Sequence, residues 1–530
     1  MIESLVQIYG EAFVRYVLAI EDAPTLTDAI LNNEQVAAAQ VLQQFASAAS
    51  STMTDPHGVG RFSQLSQLGR WQEESGSSIA NALRIHAGGE LPAFVQPSDP
   101  LRNALLAVAR DIWPSLLMTP PSSRPALFWT SVPIGLYTHP MTVDAAKAFL
   151  RDRNLKKLFP GAPTGRAINS LDLTGMSNVN ASWTNSAGRG GTQQLSTLLG
   201  LIISSSHLRC LAEDGEVSWN SLMVAISTTI AVMRRLARGE TVEIPRLIAF
   251  AGLKVPEGES VTMPHGKLRP TRRVDVDYLL HDSGSATCVF ETTYPLRLRD
   301  ISAWEIGESM PPHNWEQVRA EQRRAQRKID LTRLAVLLSS PEDSFWALTE
   351  VGSLILDPTT AGGASQWSIQ RPLASNGEVN SEGSERISSW FGIVEEKHPP
   401  ELDIAMRRTL TAAGSRLDPI DGFVDAVVAW ENCFGTSTET TFRVTAAMAA
   451  ILETSDAAAR LQKQKDLTKI YGKRSRVVHG AVDLSPQEAF TLRDSALRTA
   501  IECLRRLYSD RPDLLAMKSE QRSTQILLGS

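Results

Sequence analysis

The chain has 530 residues, of which 42% are apolar and 21% charged, with a formal net charge of −5. These proportions exclude a largely disordered chain, and the length exceeds one ordinary core, so about three domains are expected. The net negative charge argues against indiscriminate nucleic-acid binding by the whole surface and leaves that task to local basic patches. The four cysteines, Cys210, Cys288, Cys433 and Cys503, lack C-x2-C spacing and read as buried reduced thiols rather than a zinc site or a disulfide framework. Met1-Ile2-Glu3-Ser4-Leu5 offers no basic leader, and no apolar run approaches the roughly 20 residues that span a bilayer. A cytoplasmic protein without membrane contact is expected.

Residues 1–125 read as an N-terminal helical region, with Leu5, Ile8, Phe13, Val17 and Ile20 at near 3–4 spacing. Prolines from Pro92 to Pro121 interrupt it, leaving a short helical segment at Leu101–Ile112. Residues 126–357 read as an α+β region. Phe128–Pro133 suggests a short strand and Thr142–Leu150 an amphipathic helix begun by Thr142. Residues 165–195 are polar and glycine-rich. Gly188-Arg189-Gly190-Gly191 matches neither phosphate-loop pattern, so a plain loop is expected there. Helical patterns follow at Leu195–Ser204 and Ser221–Leu236.

From 242 to 298 the texture turns to β, with strands expected at Val242–Ala251, Val274–Leu280 and Ala286–Thr293 and a hairpin turn at His281–Ser285. Asp275, Asp277 and Glu291 would then lie on paired strands, where acids can chelate a metal as in D…E-x-K nucleases. Against this, Thr292-Thr293-Tyr294 supplies no lysine after Glu291. Trp315–Leu338 reads as one long helix with Val318, Ala325, Ile329, Leu334 and Leu337 on one side. Arg319, Arg323, Arg324, Arg327 and Lys328 surround the rest, a cationic surface that would guide RNA or simply be solvated. Residues 358–394 read as a polar linker or long loop, followed by helices over 395–512 and a tail at 513–530.

In the C-terminal part, Ser485-Pro486-Gln487-Glu488 combines an N-cap, a first-turn proline and a capping-box glutamate. Phe490, Leu497, Ile501, Leu504 and Tyr508 recur behind it as a stripe to pack on Val427, Trp430 and Phe434. Arg493, Arg498, Arg505 and Arg506 on the same helix read as a solvated face with i,i+4 pairs. The expected fold class is therefore multidomain α+β: a mostly helical N-terminal region, a β-rich middle and a C-terminal all-α bundle.

Between two of the C-terminal helices runs Tyr471-Gly472-Lys473-Arg474-Ser475-Arg476-Val477-Val478-His479-Gly480. A neutral imidazole can take a proton from a ribose 2′-hydroxyl near pH 7, and a guanidinium can hold the phosphate it attacks, with no metal needed. At roughly 100° per residue, Arg474 and His479 would point about 140° apart on a continuous helix. Either the backbone bends between them, near Ser475 or at Gly480, or each meets a second copy across a two-fold interface. Taken alone, R-x4-H is also what a solvated arginine and a histidine at a helix C-terminus would give.

This run resembles the R-x4-6-H signature of the HEPN superfamily, and its flanks resemble the Apea-like branch. Ile404-Ala405-Met406-Arg407-Arg408 and the segment from Asp421 to Gly435 are similar to the family's paired helices, with Ala429, Trp430 and Glu431 offered for the usual ALE-x-LF pattern. Trp430 stands where leucine is common. The resemblance covers about residues 395–512 and implies a HEPN-like helical bundle that dimerises, joins two motifs and often cleaves RNA without metal or cofactor. It implies His479 as general base or acid, Arg474 as binder of the phosphate and transition state, Ser475 as the polar residue after the arginine, and Glu431 as orienter of the pair. Tyr471, Lys473 and Arg476 are the candidate RNA contacts, within a patch that also includes Lys463, Lys465 and Lys469.

Three functions follow as expectations. The first is a metal-independent endoribonuclease, a regulated toxin or antiviral effector whose partners are RNA, a second copy of the C-terminal domain and an unknown trigger on the N-terminal region. The second is a non-catalytic dimerisation or nucleotide-binding module. The third and weakest is a metal-dependent nuclease in the β-rich middle.

Overall fold

The computed structural model describes residues 1–20, 26, 29–51, 59–72, 76–96, 98–119, 139–187, 190–280, 285–300, 315–342, 344–360, 364–367, 377–437, 439–454, 456–480 and 484–529. Among them the protein is α+β and mostly helical, with one sizeable sheet. The strand expected at Phe128–Pro133, Gly188-Arg189 of the glycine-rich run and most of the turn at 281–285 fall outside the described residues.

The N-terminal helices are α1 (Ile2–Tyr9), α2 (Glu11–Val17), α3 (Asn33–Ser51), α4 (Val59–Leu65), α5 (Ile79–His86) and α6 (Pro100–Leu117), with a two-residue ribbon of β1 (Trp71–Gln72) and β2 (Ser77–Ser78). Helix α6 starts where Asp99 accepts from the Leu101 and Arg102 N–H groups and Pro100 takes the first turn. It runs on through Pro114, well beyond the expected Ile112. Helices α7 (Pro140–Arg151), α8 (Leu173–Ser177), α9 (Leu195–Asp214) and α10 (Trp219–Ala237) share one apolar core with α1–α6, from Leu5 to Leu236.

Three expectations are corrected here. His139 rather than Thr142 caps α7, accepting from the Met141 N–H, while its Nε2 lies 2.7 Å from buried Asp111. The expected loop at 165–195 holds α8 and a hairpin of β3 (Asn180–Asn185) and β4 (Gly190–Gln194). Helix α9 is long and apolar enough to cross a membrane by length and composition, contrary to the sequence expectation, and most of it is buried inside the protein.

The sheet contains β5 (Val242–Ala251), β7 (Val261–Met263), β8 (Gly266–Pro270), β9 (Cys288–Leu296), β11 (Thr349–Ile355) and β12 (Ala364–Trp367) in the order β12-β11-β5-β9-β8-β7, every neighbouring pair antiparallel. Outside it, β6 (Leu253–Lys254) pairs with β13 (Gly377–Glu378), and β10 (Leu298–Asp300) with β3. Side chains alternate across the sheet. Leu247, Ala249 and Ala251 of β5 meet Leu208 and Ala212 of α9, whereas Ile248 and Phe250 meet α11 (Trp315–Leu338) through Ile329 and Val336. Val274–Leu280 is not the expected strand, since Asp275–Leu279 forms a π-helical turn.

Helix α11 is shared by three cores, because its Ala325 joins the N-terminal one and its Leu334, Leu337 and Leu338 enter the C-terminal one. That core is built from α12 (Ser381–Lys397), α13 (Asp403–Gly414), α14 (Pro419–Phe434), α15 (Thr440–Leu452), α16 (Ala457–Val478), α17 (Pro486–Ser509) and α18 (Ser519–Leu528). The expected linker at 358–394 thus contains most of α12, whose Ile387, Phe391 and Val394 are buried. Helix α14 packs on α13 and α17, and Trp430 is 1% exposed with its indole N–H on the Ala496 carbonyl at 3.0 Å. The capping box of Ser485 and Glu488 opens α17 as the sequence predicts.

The expected tail is structural. Arg522 of α18 is fully buried and donates to the carbonyls of Leu514, Leu515, Met517 and Cys433, the last belonging to the end of α14. One guanidinium therefore serves carbonyls from two segments and locks α18 onto α14.

Candidate active site

Helices α14 and α16 carry the candidate residues. Tyr471 and Arg474 lie three apart on α16, hence on one face, and both reach Glu431 of α14. The Tyr471 hydroxyl donates to Glu431 Oε1 at 2.5 Å, and Arg474 Nη2 lies 3.4 Å from Oε2. Burial pushes the Tyr471 phenol well above its ordinary range, and its bond to Glu431 adds to the shift. It thus donates to the carboxylate as a neutral phenol. Tyr471 is only 7% exposed, so it supports Glu431 from within and is no stacking platform for a base.

Arg474 is held by one end. Its side chain is 22% exposed, and its Nε is buried without a hydrogen-bond partner among the described residues. A buried N–H in that state has donor capacity left over. An open cleft of about 520 Å³ adjoins Glu431 and Tyr471, walled on its other sides by Thr436, Ser437 and Thr440 and by Ser519 and Glu520 of α18.

His479 is placed elsewhere. Helix α16 runs unbroken to Val478, and His479 is its C-cap, with φ −87° and its N–H on the Ser475 carbonyl at 3.1 Å. Gly480 then adopts φ +67°, the left-handed conformation that ends a helix. No bend intervenes before the helix end, so the five-residue step leaves Arg474 and His479 about 140° apart, and no hydrogen bond joins them among the described residues. His479 and Arg476 are exposed. Lys473, Ser475 and Arg476 make no side-chain hydrogen bond or ion pair among the described residues.

The wider basic surface is thinner than the sequence suggests. Lys469 pairs with Asp466 at 2.8 Å. The α17 arginines are fastened individually: Arg493 to Asp494, Arg505 to the Leu338 and Ser340 carbonyls, and Arg506 to Glu502 and Asp510. Arg498 stacks 4.5 Å over Phe345. Much of this series thus docks α17 on the end of α11. On α11 itself Arg327 bonds Asp403 and the His398 carbonyl, each at 3.0 Å, whereas Arg319, Arg323 and Arg324 are exposed.

The acids of the β-rich middle are taken up by arginine. Arg269 forks onto Asp275 at 2.6 and 2.9 Å and also bonds Glu291 through Nε. Burial raises the Asp275 carboxyl, but Arg269 and the Arg272 N–H outweigh it and hold it below its ordinary value. The side chain of Asp277 lies outside the described residues, and no group of three or more metal-ligating side chains occurs among those described.

Sequence reasoning missed the α18 wall. Its only signal was Ser519-Glu520-Gln521 leading into Ile526-Leu527-Leu528, a short helix-like pattern beyond the resemblance. No protein-family model, curated protein or solved structure matches this chain.

Proposed function

We propose that the chain is a metal-independent endoribonuclease of HEPN type, held in check by its N-terminal region as a regulated toxin or defence effector in the cytoplasm. The observation that carries this reading is Arg474, held through its Nη2 by Glu431, whose carboxylate lines an open cleft. Such a guanidinium suits a phosphodiester whose negative charge grows in the transition state. A base removes the 2′-hydroxyl proton, the 2′-oxygen attacks phosphorus, and the 5′-oxygen leaves with a proton. The products are a 2′,3′-cyclic phosphate and a 5′-hydroxyl. In this reading His479 performs the proton transfers, and Lys473, Ser475 and Arg476 contact the RNA.

Because His479 faces away from Arg474 within one chain, the active unit is a two-fold dimer in which the motifs of both copies converge. Val478, 52% exposed beside His479, gives such an interface apolar surface. Mixing Arg474→Ala with His479→Ala protein tests this. Composite sites in mixed dimers restore cleavage that neither variant shows alone, whereas no recovery in demonstrated mixed dimers contradicts it.

The same separation favours a second reading, a non-catalytic module in which Glu431, Tyr471 and Arg474 only stabilise the bundle. Wild-type protein that binds RNA but never cleaves it would support that alternative.

A further inference from the structure

We infer that α18 is the base-recognising wall of this cleft and that Glu520 selects guanine. The inference rests on the RNA-binding reading of the Glu431–Arg474 site.

Glu520 faces the cleft that Glu431 and Tyr471 line. The backbone that carries it is anchored: two residues on, Arg522 is buried and bonded to the Cys433 carbonyl at 2.6 Å, at the end of the helix that carries Glu431. The two helices that carry Glu520 and Glu431 are thus tied together through a single buried guanidinium, which supports the wall on which a recognition site can be built.

Their chemical states differ. Both oxygens of Glu431 are engaged by Tyr471 and Arg474. Glu520 is exposed and makes no ion pair among the described residues, so both its oxygens are open to a ligand. An ionised carboxylate only accepts hydrogen bonds, so its ligand must present N–H or O–H donors. Single-stranded RNA is read on the Watson–Crick edges of splayed bases. Guanine places N1–H and N2–H side by side on that edge, two parallel donors for two carboxylate oxygens. Adenine and cytosine offer one amino group beside a ring acceptor, and uracil offers one imide N–H between two carbonyls. Ser519, at the same wall, can donate its hydroxyl to guanine O6. The cleft volume of about 520 Å³ lies within the range of small-ligand pockets.

A free guanine nucleotide carries the same edge, so the test separates the two sources. Fluorescent 2′-O-methyl oligonucleotides, which lack the attacking hydroxyl, are titrated into full-length protein by anisotropy, one with a central guanosine and one with adenosine in its place. Guanosine monophosphate is measured separately by calorimetry. The expected result is roughly tenfold tighter binding of the guanosine oligonucleotide. That preference is lost in Glu520→Gln, whose affinity for the adenosine oligonucleotide is unchanged. Because Glu520 is exposed, the variant keeps the fold, which circular dichroism checks. Equal affinity for both oligonucleotides, or a preference that survives Glu520→Gln, overturns the inference and leaves the RNA-cleaving reading standing. Binding of guanosine monophosphate alone, abolished by Glu520→Gln, supports the guanine subsite and overturns the RNA-cleaving reading instead. Binding of none of the three ligands overturns both.

Discussion

Tyr471 and Glu431, forty residues apart, are joined by a 2.5 Å hydrogen bond from a buried phenol to the carboxylate that also holds Arg474. This bond ties α16 to α14 and sets the direction of the arginine. Tyr471→Phe removes the donor and leaves Oε1 short of a partner, a loss of about 1 kcal/mol in urea unfolding. Glu431→Ala frees Arg474 as well, and cleavage should fall about 100-fold, on the scale of one lost electrostatic contact to the transition state. An unaltered cleavage rate in Glu431→Ala would remove the carboxylate from the site.

Arg522→Met takes a donor away from four carbonyls. The expected cost is about 3 kcal/mol or more, because the Leu515, Met517 and Cys433 carbonyls lose their donor at once while Leu514 keeps the Met517 N–H. Amide exchange across residues 514–528 should quicken before the rest of the bundle responds. Unchanged exchange there would show that α18 is held by other contacts.

Asp275→Asn distinguishes structure from metal chemistry in the β-rich middle. Arg269 would lose its buried counter-charge, so the variant should be about 3–5 kcal/mol less stable by chemical denaturation. EDTA should leave the wild-type activity intact. EDTA-sensitive cleavage, abolished in an Asp275→Asn protein of normal stability, would point to metal chemistry.

His207 of α9 predicts a pH dependence of stability. Burial drives its imidazole down to about 4, with its Nε2 3.2 Å from the Leu116 carbonyl. The unfolded chain protonates near pH 6.5 and the folded one does not until about pH 4, so stability is full above 6.5 and falls as pH drops through that window. The loss by pH 4 amounts to about 3 kcal/mol. Unfolding titrations of wild type and His207→Gln should diverge over that range, and parallel curves would refute the assignment.

What could be read from the sequence followed from local rules. The 24 residues of Trp315–Leu338 sustain one helical period and form one helix with those bounds, and the signals around Ser485 close into a capping box. The wide angle between Arg474 and His479 was also legible, from helix geometry alone. Val274–Leu280 was misread because Val-Asp-Val-Asp-Tyr-Leu-Leu alternates like a strand, while a side-chain partner outside that run, the Arg269 fork on Asp275, goes with a helical turn. The α12 segment looked like a linker because its apolar residues are few, although Ile387, Phe391 and Val394 share one face. The α18 wall was hidden because its anchor is an arginine, a residue type rarely fully buried and here wholly so.

The central claim is most directly tested by incubating RNA with wild type and His479→Ala in EDTA and identifying the product ends. The account predicts 2′,3′-cyclic phosphate and 5′-hydroxyl ends from the wild type, and a rate at least about 100-fold lower in the variant, the usual contribution of a general acid or base. Equal cleavage by the two proteins, or cleavage by the wild type that EDTA abolishes, would contradict it.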